Sequence, residues 1–377
     1  MSDDQAYMQQ AIDLAARVLT ATPNPRVGAV VVKDGRVVGT GWHEQVGRPH
    51  AEVVALQDAG ELARGATVYV SLEPCCMVGR TPPCTDALIQ AGVATVVYGM
   101  QDPNPAVSGR GLDRLREAGI EVRGPLLQER AAALNPGFIK RMTQQLPRLR
   151  CKMAMSLDGR TAMASGESQW ITGEEARADV QCLRASSCAV LTGVNTVIAD
   201  NPHLNVRAAQ LPLADAELIA RRQPLRVVMD SSLRTPPDSR IIGLPGEVLL
   251  MSSRPQPQQV ERFAGSKAQI VEVACLDNGR VDLRDALRTL AIDYECNEVL
   301  LETGPTLGGA MVQSGLVDEV LIYVGARFLG SDAMPLLHLP GIQFMKDHVA
   351  LEMRDVQMIG RDCRIRAELR SLLPAME

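Results

Sequence analysis

Three short pieces of the first hundred residues must meet in space: His50-Ala51-Glu52, the pair Pro74-Cys75, and Cys84 at the end of the run GRTPPC. One imidazole and two thiolates form a soft donor set suited to zinc, and three protein donors leave the fourth tetrahedral position for a reacting water. Such a site is catalytic rather than structural. Any fold this chain adopts has to bring donors that are distant in sequence to a single point.

Glu52 supplies the second half of that chemistry. Pro49 fits the first turn of a helix running through HAEVVALQDAG, which places His50 and Glu52 at its start. Glu52 can then face the water without ligating the metal, take its proton and pass it to a departing amine. H-x-E with P-C is a zinc deaminase signature, although the cysteines there are spaced P-C-x-x-C, and here Cys75 and Cys84 lie further apart. The alternative is a closed four-ligand clip completed by Cys76 or His43. A clip has no use for Glu52.

The stretch LEPCCMVGRTPPC, with TPNPRVGAVVVKDG before it and QDPNPAVSGRGL after it, resembles the bifunctional riboflavin biosynthesis deaminase/reductase family over nearly the whole chain. The resemblance implies an α/β fold: an N-terminal cytidine deaminase-like three-layer domain, residues 1–146, followed by a dihydrofolate reductase-like α/β domain, residues 147–377. It implies zinc-hydrolytic deamination of a diaminopyrimidinone ribose phosphate, then NADPH-dependent reduction of the ribosyl group to ribityl. Zinc, one ion per chain, belongs to the first domain on His50, Cys75 and Cys84, with Glu52 catalytic, and NADPH belongs to the second.

The same resemblance carries further roles. Asn24, His43 and Arg80 address the substrate of the first domain. Ala154, Trp170, Thr196, Asp200 and Ser231 line the cofactor site, joined by Gly304, Pro305, Thr306, Leu307, Gly308, Gly309 and Ala310. Ser168, Arg184, Leu204, Arg207 and Glu302 hold the sugar phosphate. Read without it, Asn24 suits a turn, His43 a strand end, Trp170 a core and Asp200 a cap. LLETGPTLGGAM is more legible: a buried strand ends at Glu302, Gly304-Pro305 turns, and a helix starts whose free N–H groups can hold a pyrophosphate, with Gly308 and Gly309 allowing close backbone approach. The chain departs from the family at Cys76 and Met77, where relatives commonly read PCSH or PCAH. Met77 can neither donate a hydrogen bond nor carry charge, which puts phosphate affinity in question and leaves the metal site untouched.

Length and pattern agree with two domains. The chain, at 377 residues, exceeds what one hydrophobic core usually holds, and Pro147 marks the boundary. QAYMQQAIDLAARVL places Met8, Ile12, Ala15 and Leu19 at helical spacing, VGAVVVK and RVVGTGW flank an Asp34-Gly35 hairpin turn, and ATVYVSLEP is a strand delivering Cys75. TDALIQAG is a helix starting just after Cys84, and ERAAALNPGFIKRMTQQLP is a helical connection. Beyond Pro147, strands alternate with small-residue turns and helices, which predicts a mostly parallel sheet, and no GxGxxG fingerprint is present.

A net charge of -5 and 3% aromatic residues argue against a nucleic-acid surface. No apolar run approaches a membrane span, the start MSDDQAYMQQ lacks signal-peptide character, and nine scattered cysteines make no disulfide framework. The expectation is a cytoplasmic homo-oligomer, dimer or tetramer, acting on a small molecule, with GAMVQSGLV as one apolar helix available to a subunit interface. Two rivals remain: a nucleic-acid editing deaminase with a docking domain, and a zinc- and nucleotide-binding sensor without catalysis.

Overall fold

Asp34 and Gly35 both take positive φ, 50° and 74°, the two-residue turn whose twist matches the strands it joins. It links β1 (Gly28–Lys33) to β2 (Arg36–Trp42). This computed structural model describes residues 3–79 and 81–369. The chain divides into two units, Met1–Leu146 and Pro147–Glu377.

In the first unit β3 (Thr67–Val70), β4 (Thr95–Tyr98) and β5 (Glu121–Arg123) complete a five-stranded sheet of order β2-β1-β3-β4-β5. β1 runs antiparallel to β2 and β3, whereas β3, β4 and β5 are parallel. Glycine decides how helices cover this sheet. A Cβ on Gly28 would stand 2.1 Å from the carbonyl oxygen of Ala11 in α1 (Asp3–Ala16). On Gly41 it would stand 2.4 Å from that of Ala51, and on Gly39 2.3 Å from that of Ala55, both in α2 (Ala51–Ala59). Gly28 pairs with Trp42 and Ala29 with Gly41, so Gly28 and Gly41 face opposite ways and the two helices cover opposite faces. This is the expected three-layer domain, with Met8, Ala55, Val30 and Val68 sharing one core.

Local boundaries differ from the sequence reading in informative ways. α1 stops at Ala16, leaving Leu19 half-buried in the turn beyond. His50 is not inside α2 but caps it with extended backbone, so Pro49 precedes the cap instead of filling the first turn. α3 (Cys84–Ala91) begins at Cys84 itself. α4 (Arg110–Glu117) follows, and the helical connection breaks into α5 (Gln128–Ala133) and α6 (Pro136–Gln144). The break has a cause: the Asn135 side chain takes the N–H of Arg26 at 2.7 Å and gives to its carbonyl at 2.8 Å, and Pro136 opens the next helix where its missing N–H costs nothing.

The second unit is built on β6 (Arg148–Ser156), a short β7 (Arg160–Ala162), β8 (Ala189–Gly193), β9 (Leu225–Met229), β10 (Val248–Ser252), β11 (Ala268–Glu272), β12 (Glu298–Glu302), β13 (Glu319–Gly325), a short β14 (Met334–Pro335), β15 (Leu351–Ile359) and β16 (Asp362–Leu369). Nine of them form one sheet, β11-β10-β9-β8-β12-β6-β13-β16-β15, while β7 and β14 make a separate ribbon. From β11 to β13 every neighbour is parallel; only β16 and β15 reverse. Strands β8, β9 and β10 are buried throughout and, apart from Thr192, Arg226 and Ser252, carry only apolar residues and glycine, as strands of a parallel sheet covered on both faces should.

Because α2 rests on bare backbone at Gly41, Gly41→Ala is expected to push the helix off β2. Urea unfolding should show a loss of about 1–3 kcal/mol, and bound metal in the purified protein should fall with it.

Candidate active site

Two helix starts and one strand end converge on the proposed donors. Cys75 follows β3 on the segment Ser71–Pro74, Cys84 is the first residue of α3, and His50 caps α2. The segment after β3 is pinned by Glu73, a buried carboxylate that accepts the N–H groups of Asp102 (3.1 Å), Gly109 (3.0 Å) and Gly111 (3.1 Å). Glu73 was not singled out in the sequence. Its only signal was a charged residue ending a buried apolar strand.

The Nδ1 atom of His50 lies 3.3 Å from Sγ of Cys84 and 3.6 Å from Sγ of Cys75, and the three donor atoms all fall within 4.8 Å of one another. A tetrahedral zinc with its usual bond lengths would hold nitrogen and sulfur about 3.6 Å apart, so the residues fit the ion. The far nitrogen of His50, Nε2, meets Thr81 Oγ1 at 3.2 Å. A proton on Nε2 leaves the Nδ1 lone pair aimed at the sulfurs, the outer contact that fixes a ligating tautomer. Thr81 is a second residue the sequence reading missed, hidden in the GRTPPC run.

The surroundings of the sulfurs favour a thiolate, the form that binds a metal cation. The backbone N–H of Cys84, at the positive end of α3, donates to Cys75 Sγ at 3.4 Å. The Cys84 thiol, His50 and that N–H together pull the Cys75 thiol down to about 4 against the opposing effect of burial. Cys84 is pushed up because it shares its proton with Cys75 and is itself buried. Glu52, second residue of α2 and only 3% exposed, is raised to about 7, first by burial and then by the Cys75 charge.

The closed clip finds no support. Among the described residues the cluster contains His50, Cys75 and Cys84 and not Cys76. His43 has both ring nitrogens engaged, Nδ1 with the Pro49 carbonyl at 3.1 Å and Nε2 with Asn24 Nδ2 at 3.0 Å. The structure thus brings Asn24 and His43 together but in sequence: Asn24 lines the cavity, and the buried His43 stands behind it. That cavity, about 360 Å³, is walled by Asn24, Gly47, His50, Cys75, Met77, Gly79 and Thr81. Arg80, expected at the phosphate, lies outside the described residues.

In the second unit the expected cofactor residues gather at the carboxyl ends of adjacent parallel strands, where open α/β sheets bind ligands. Ala154 is near the end of β6, Thr196 follows β8, Ser231 follows β9 and Gly304 follows β12. Thr196 Oγ1 accepts the N–H of Gly304 at 3.2 Å, tying two of these loops together. Ser231 Oγ is already committed, accepting the N–H of Val281 at 3.1 Å. Asp200 accepts from Ser168 Oγ at 3.5 Å, and Trp170 is 57% exposed beneath Arg177, whose guanidinium carbon lies 4.5 Å from the ring centroid.

Gly304 caps the helix Pro305–Gln313, whose first-turn N–H groups on Thr306 and Leu307 have no partner within the helix. Pro305 has none to offer. Gly308 and Gly309 also pack against the chain itself: a Cβ on Gly309 would stand 1.9 Å from the His338 carbonyl oxygen, and one on Gly308 would stand 2.9 Å from Leu337. The close approach is made by the chain's own backbone, and Ala310 continues the helix beyond it.

Around the expected sugar phosphate site, Arg184 gives Nε and Nη2 to the two oxygens of Glu302 (2.6 and 3.0 Å) and Nη1 to the Asn205 carbonyl. Its fork is therefore occupied. Lys152, directly across from Glu302 in the β12–β6 pairing, reaches it at 3.7 Å. Burial alone would raise Glu302, but Arg184 and Lys152 outweigh it and hold the carboxyl at about 2. Arg207 differs: its Nε is buried without a hydrogen-bond partner among the described residues. Leu204, beside it in the same loop, is buried with φ at 50°.

A three-layer sheet presenting His-Cys-Cys and a buried glutamate at two helix starts defines a zinc-dependent deaminase of the cytidine deaminase type, here followed by a mainly parallel reductase-like unit. Comparison with known proteins agrees. Residues 1–100 match the cytidine and deoxycytidylate deaminase zinc-binding region, and residues 147–365 match the RibD C-terminal domain. The riboflavin biosynthesis protein RibD of Escherichia coli K12 is 48% identical over 367 residues, 95% of this chain and 97% of that protein. The structure of Acinetobacter baumannii RibD, form 1, superposes with a TM-score of 0.89 at 44% identity, covering 98% of this chain and 99% of that one. A Thermotoga maritima diaminohydroxyphosphoribosylaminopyrimidine deaminase/5-amino-6-(5-phosphoribosylamino)uracil reductase gives 0.79 at 31%, with the same coverage. The chain belongs to the RibD family of riboflavin biosynthesis proteins.

Two outcomes follow from the geometry. Thr81→Val, which removes the contact orienting His50, is expected to weaken zinc about 10–100-fold in a competition titration with a chelator. Glu302→Gln leaves Arg184 and Lys152 without their counter-charge and should cost about 3–5 kcal/mol of stability at neutral pH. Since the folded carboxyl sits at about 2 against an ordinary 4.5, its contribution is present above 4.5 and is lost as pH falls toward 2. The gap between wild type and Glu302→Gln in urea unfolding should narrow across that window.

Proposed function

We propose that the chain is a bifunctional enzyme of riboflavin synthesis. Its first unit, residues 1–146, hydrolytically deaminates the diaminopyrimidinone ribosylamine phosphate, and its second, residues 147–377, reduces the ribosyl group of the product to ribityl with NADPH. The observation that carries this reading is the cluster of His50 Nδ1 and two cysteine sulfurs with the buried carboxyl of Glu52 beside it. The activities named for the Thermotoga maritima relative supply the substrate class.

Zinc, held by His50, Cys75 and Cys84, supplies when bound a cation that makes a water nucleophilic at neutral pH. Glu52, raised to about 7 by burial and the Cys75 charge, can hold or release a proton there. It takes the proton of the attacking water and hands it to the departing amine, a double duty that an ordinary carboxyl near 4.5 would perform poorly as an acid. Asn24 has its amide nitrogen engaged with His43, so its side-chain oxygen remains for the pyrimidine. His43 acts by fixing that orientation, Arg80 is assigned to the substrate phosphate, and Met77 contributes only apolar rim.

NADPH, when bound, supplies the hydride, and the protein supplies alignment. The N–H groups of Thr306 and Leu307, exposed or half-exposed at the start of Pro305–Gln313, are assigned to its pyrophosphate. Ala154, Trp170, Thr196, Asp200 and Ser231 form the rest of that site. Arg207 is assigned to the sugar phosphate, because burial and the neighbouring Arg184 both lower its affinity for a proton and an anion would relieve both. Arg184 and Glu302 shape that pocket as a pair, with Ser168 and Leu204. Holding the phosphate far from the reacting carbon fixes the sugar against the nicotinamide. The same reading makes the protein a cytoplasmic homo-oligomer acting on a small molecule, with no nucleic-acid or membrane partner. Among the described residues no helix is long and apolar enough to cross a membrane.

The test separates the two activities. Glu52→Gln is expected to cut ammonia release by about 10²–10⁴-fold while zinc content stays that of wild type and NADPH oxidation on the already deaminated substrate continues. Full deamination by Glu52→Gln would contradict the proposal.

A further inference from the structure

On the reading of the second unit as an NADPH-dependent reductase, we propose that Arg177 is a positioning residue. It holds the indole of Trp170 as a plate for the nicotinamide end of the cofactor. Its charge behind that plate favours the reduced cofactor over the oxidised one.

Trp170 is a large apolar residue kept in water on a pinned backbone. It is 57% exposed, yet four consecutive residues, itself and the next three, are tied down. Arg327 Nη1 donates to the Trp170 carbonyl at 2.6 Å, and Arg177 Nη1 donates to the Thr172 carbonyl at 2.8 Å. Between them the Ile171 carbonyl rests on Gly325, where a Cβ would stand 2.3 Å from its oxygen. The Gly173 N–H donates to Asp362 at 2.6 Å. An indole free to collapse would bury itself against the unit, because an aromatic ring gains much by leaving water. An anchored backbone holds it out instead, which is how a preorganised binding surface is built.

Arg177 fixes the ring as well as the backbone. It is the fourth residue of the helix Glu174–Ala185, and its guanidinium carbon lies 4.5 Å from the Trp170 ring centroid, over one face. Its carboxylate neighbour Glu174, 3.9 Å away, is 93% exposed, and so open a pair neutralises little of the charge. One face of the indole is thus taken by a cation, which leaves the other for a flat group of the ligand. Arg207 feels the charge of Arg184 more strongly than that of Arg177, so Arg177 stands further from the residue assigned to the sugar phosphate.

The order of the strands selects the end of the cofactor that meets this plate. Across the sheet they run β9-β8-β12-β6-β13. The residues assigned to the cofactor follow the same order: Ser231 after β9, Thr196 after β8, the N–H groups of Thr306 and Leu307 after β12, and Ala154 near the end of β6. Trp170 comes last, because its loop rests on Gly325, the end of β13. A pyrophosphate at Thr306 and Leu307 therefore has one ring system on the Ser231 side and the other on the Trp170 side. Ser168, in the same loop as Trp170, belongs to the residues assigned to the sugar phosphate, and hydride has to pass to that sugar. The ring at Trp170 is the nicotinamide. Loss of hydride leaves that ring positively charged, whereas the reduced ring is neutral. A guanidinium held behind the indole opposes the first and not the second.

Isothermal titration calorimetry on the full chain, with NADPH and NADP+ as separate ligands, is the test. Wild type is expected to bind NADPH more tightly. Arg177→Met should raise the NADPH dissociation constant about 3–30-fold and lower the ratio of the NADP+ to the NADPH constant about 2–10-fold. The phosphates, common to both ligands, cancel in that ratio. Arg177→Lys keeps the charge and should hold the ratio within about 2-fold of wild type. In a Trp170→Leu background, Arg177→Met should change NADPH affinity by less than about 2-fold, because its effect passes through the indole. Arg177→Gln carries the same comparisons if the methionine variant misfolds. An unchanged ratio, additive losses in the double variant, or a defect confined to KM for the deaminated substrate would overturn the proposal. Wild type that binds neither form of the cofactor would overturn the reductase reading and the proposal with it.

Discussion

The first unit depends on bare backbone contact between α2 and β2. Gly39 and Gly41 let the carbonyls of Ala55 and Ala51 approach to distances at which no side chain fits. That contact sets the height of α2 over the sheet and with it the positions of His50 and Glu52. α3 brings Cys84 from the other side, and the Glu73 cage holds the segment carrying Cys75. The site is then made of element ends: His50 and Cys84 sit where α2 and α3 begin, Cys75 follows a strand, and the positive end of α3 favours the Cys75 thiolate that a divalent ion requires.

Burial gives the same site its proton chemistry. Glu52 is removed from water by the packing that removes Ala51 and Ala55, and this moves its carboxyl to neutral pH. The second unit shows the opposite balance. Glu302 is as deeply placed, yet Arg184 and Lys152 keep it ionised. Two buried glutamates with opposite titration are suited to two different tasks, exchanging a proton near neutral pH in one unit and holding a fixed charge in the other.

Much of this was legible in the sequence, and the limits are physical. The donor spacing, the Asp34-Gly35 hairpin, the alternation of strands and helices beyond Pro147 and the turn after Glu302 all rest on local chemistry that a reader can see. Thr81 and Glu73 were not visible, because each acts through backbone or ring atoms that only the fold brings near. His50 as a cap was missed for a similar reason: proline before a histidine fits a helix start on either side of the boundary. The packing of Gly309 on the His338 carbonyl was not legible, since small residues look the same whether a ligand or the chain's own backbone comes close.

The central claim is that one imidazole nitrogen and two cysteine sulfurs form an open zinc site. X-ray absorption at the zinc edge of the purified full chain tests it most directly. The account predicts two sulfurs at about 2.3 Å and light atoms at about 2.0–2.1 Å, one of them lost in His50→Ala. Four protein ligands around the ion, or a shell without two sulfurs, would contradict it.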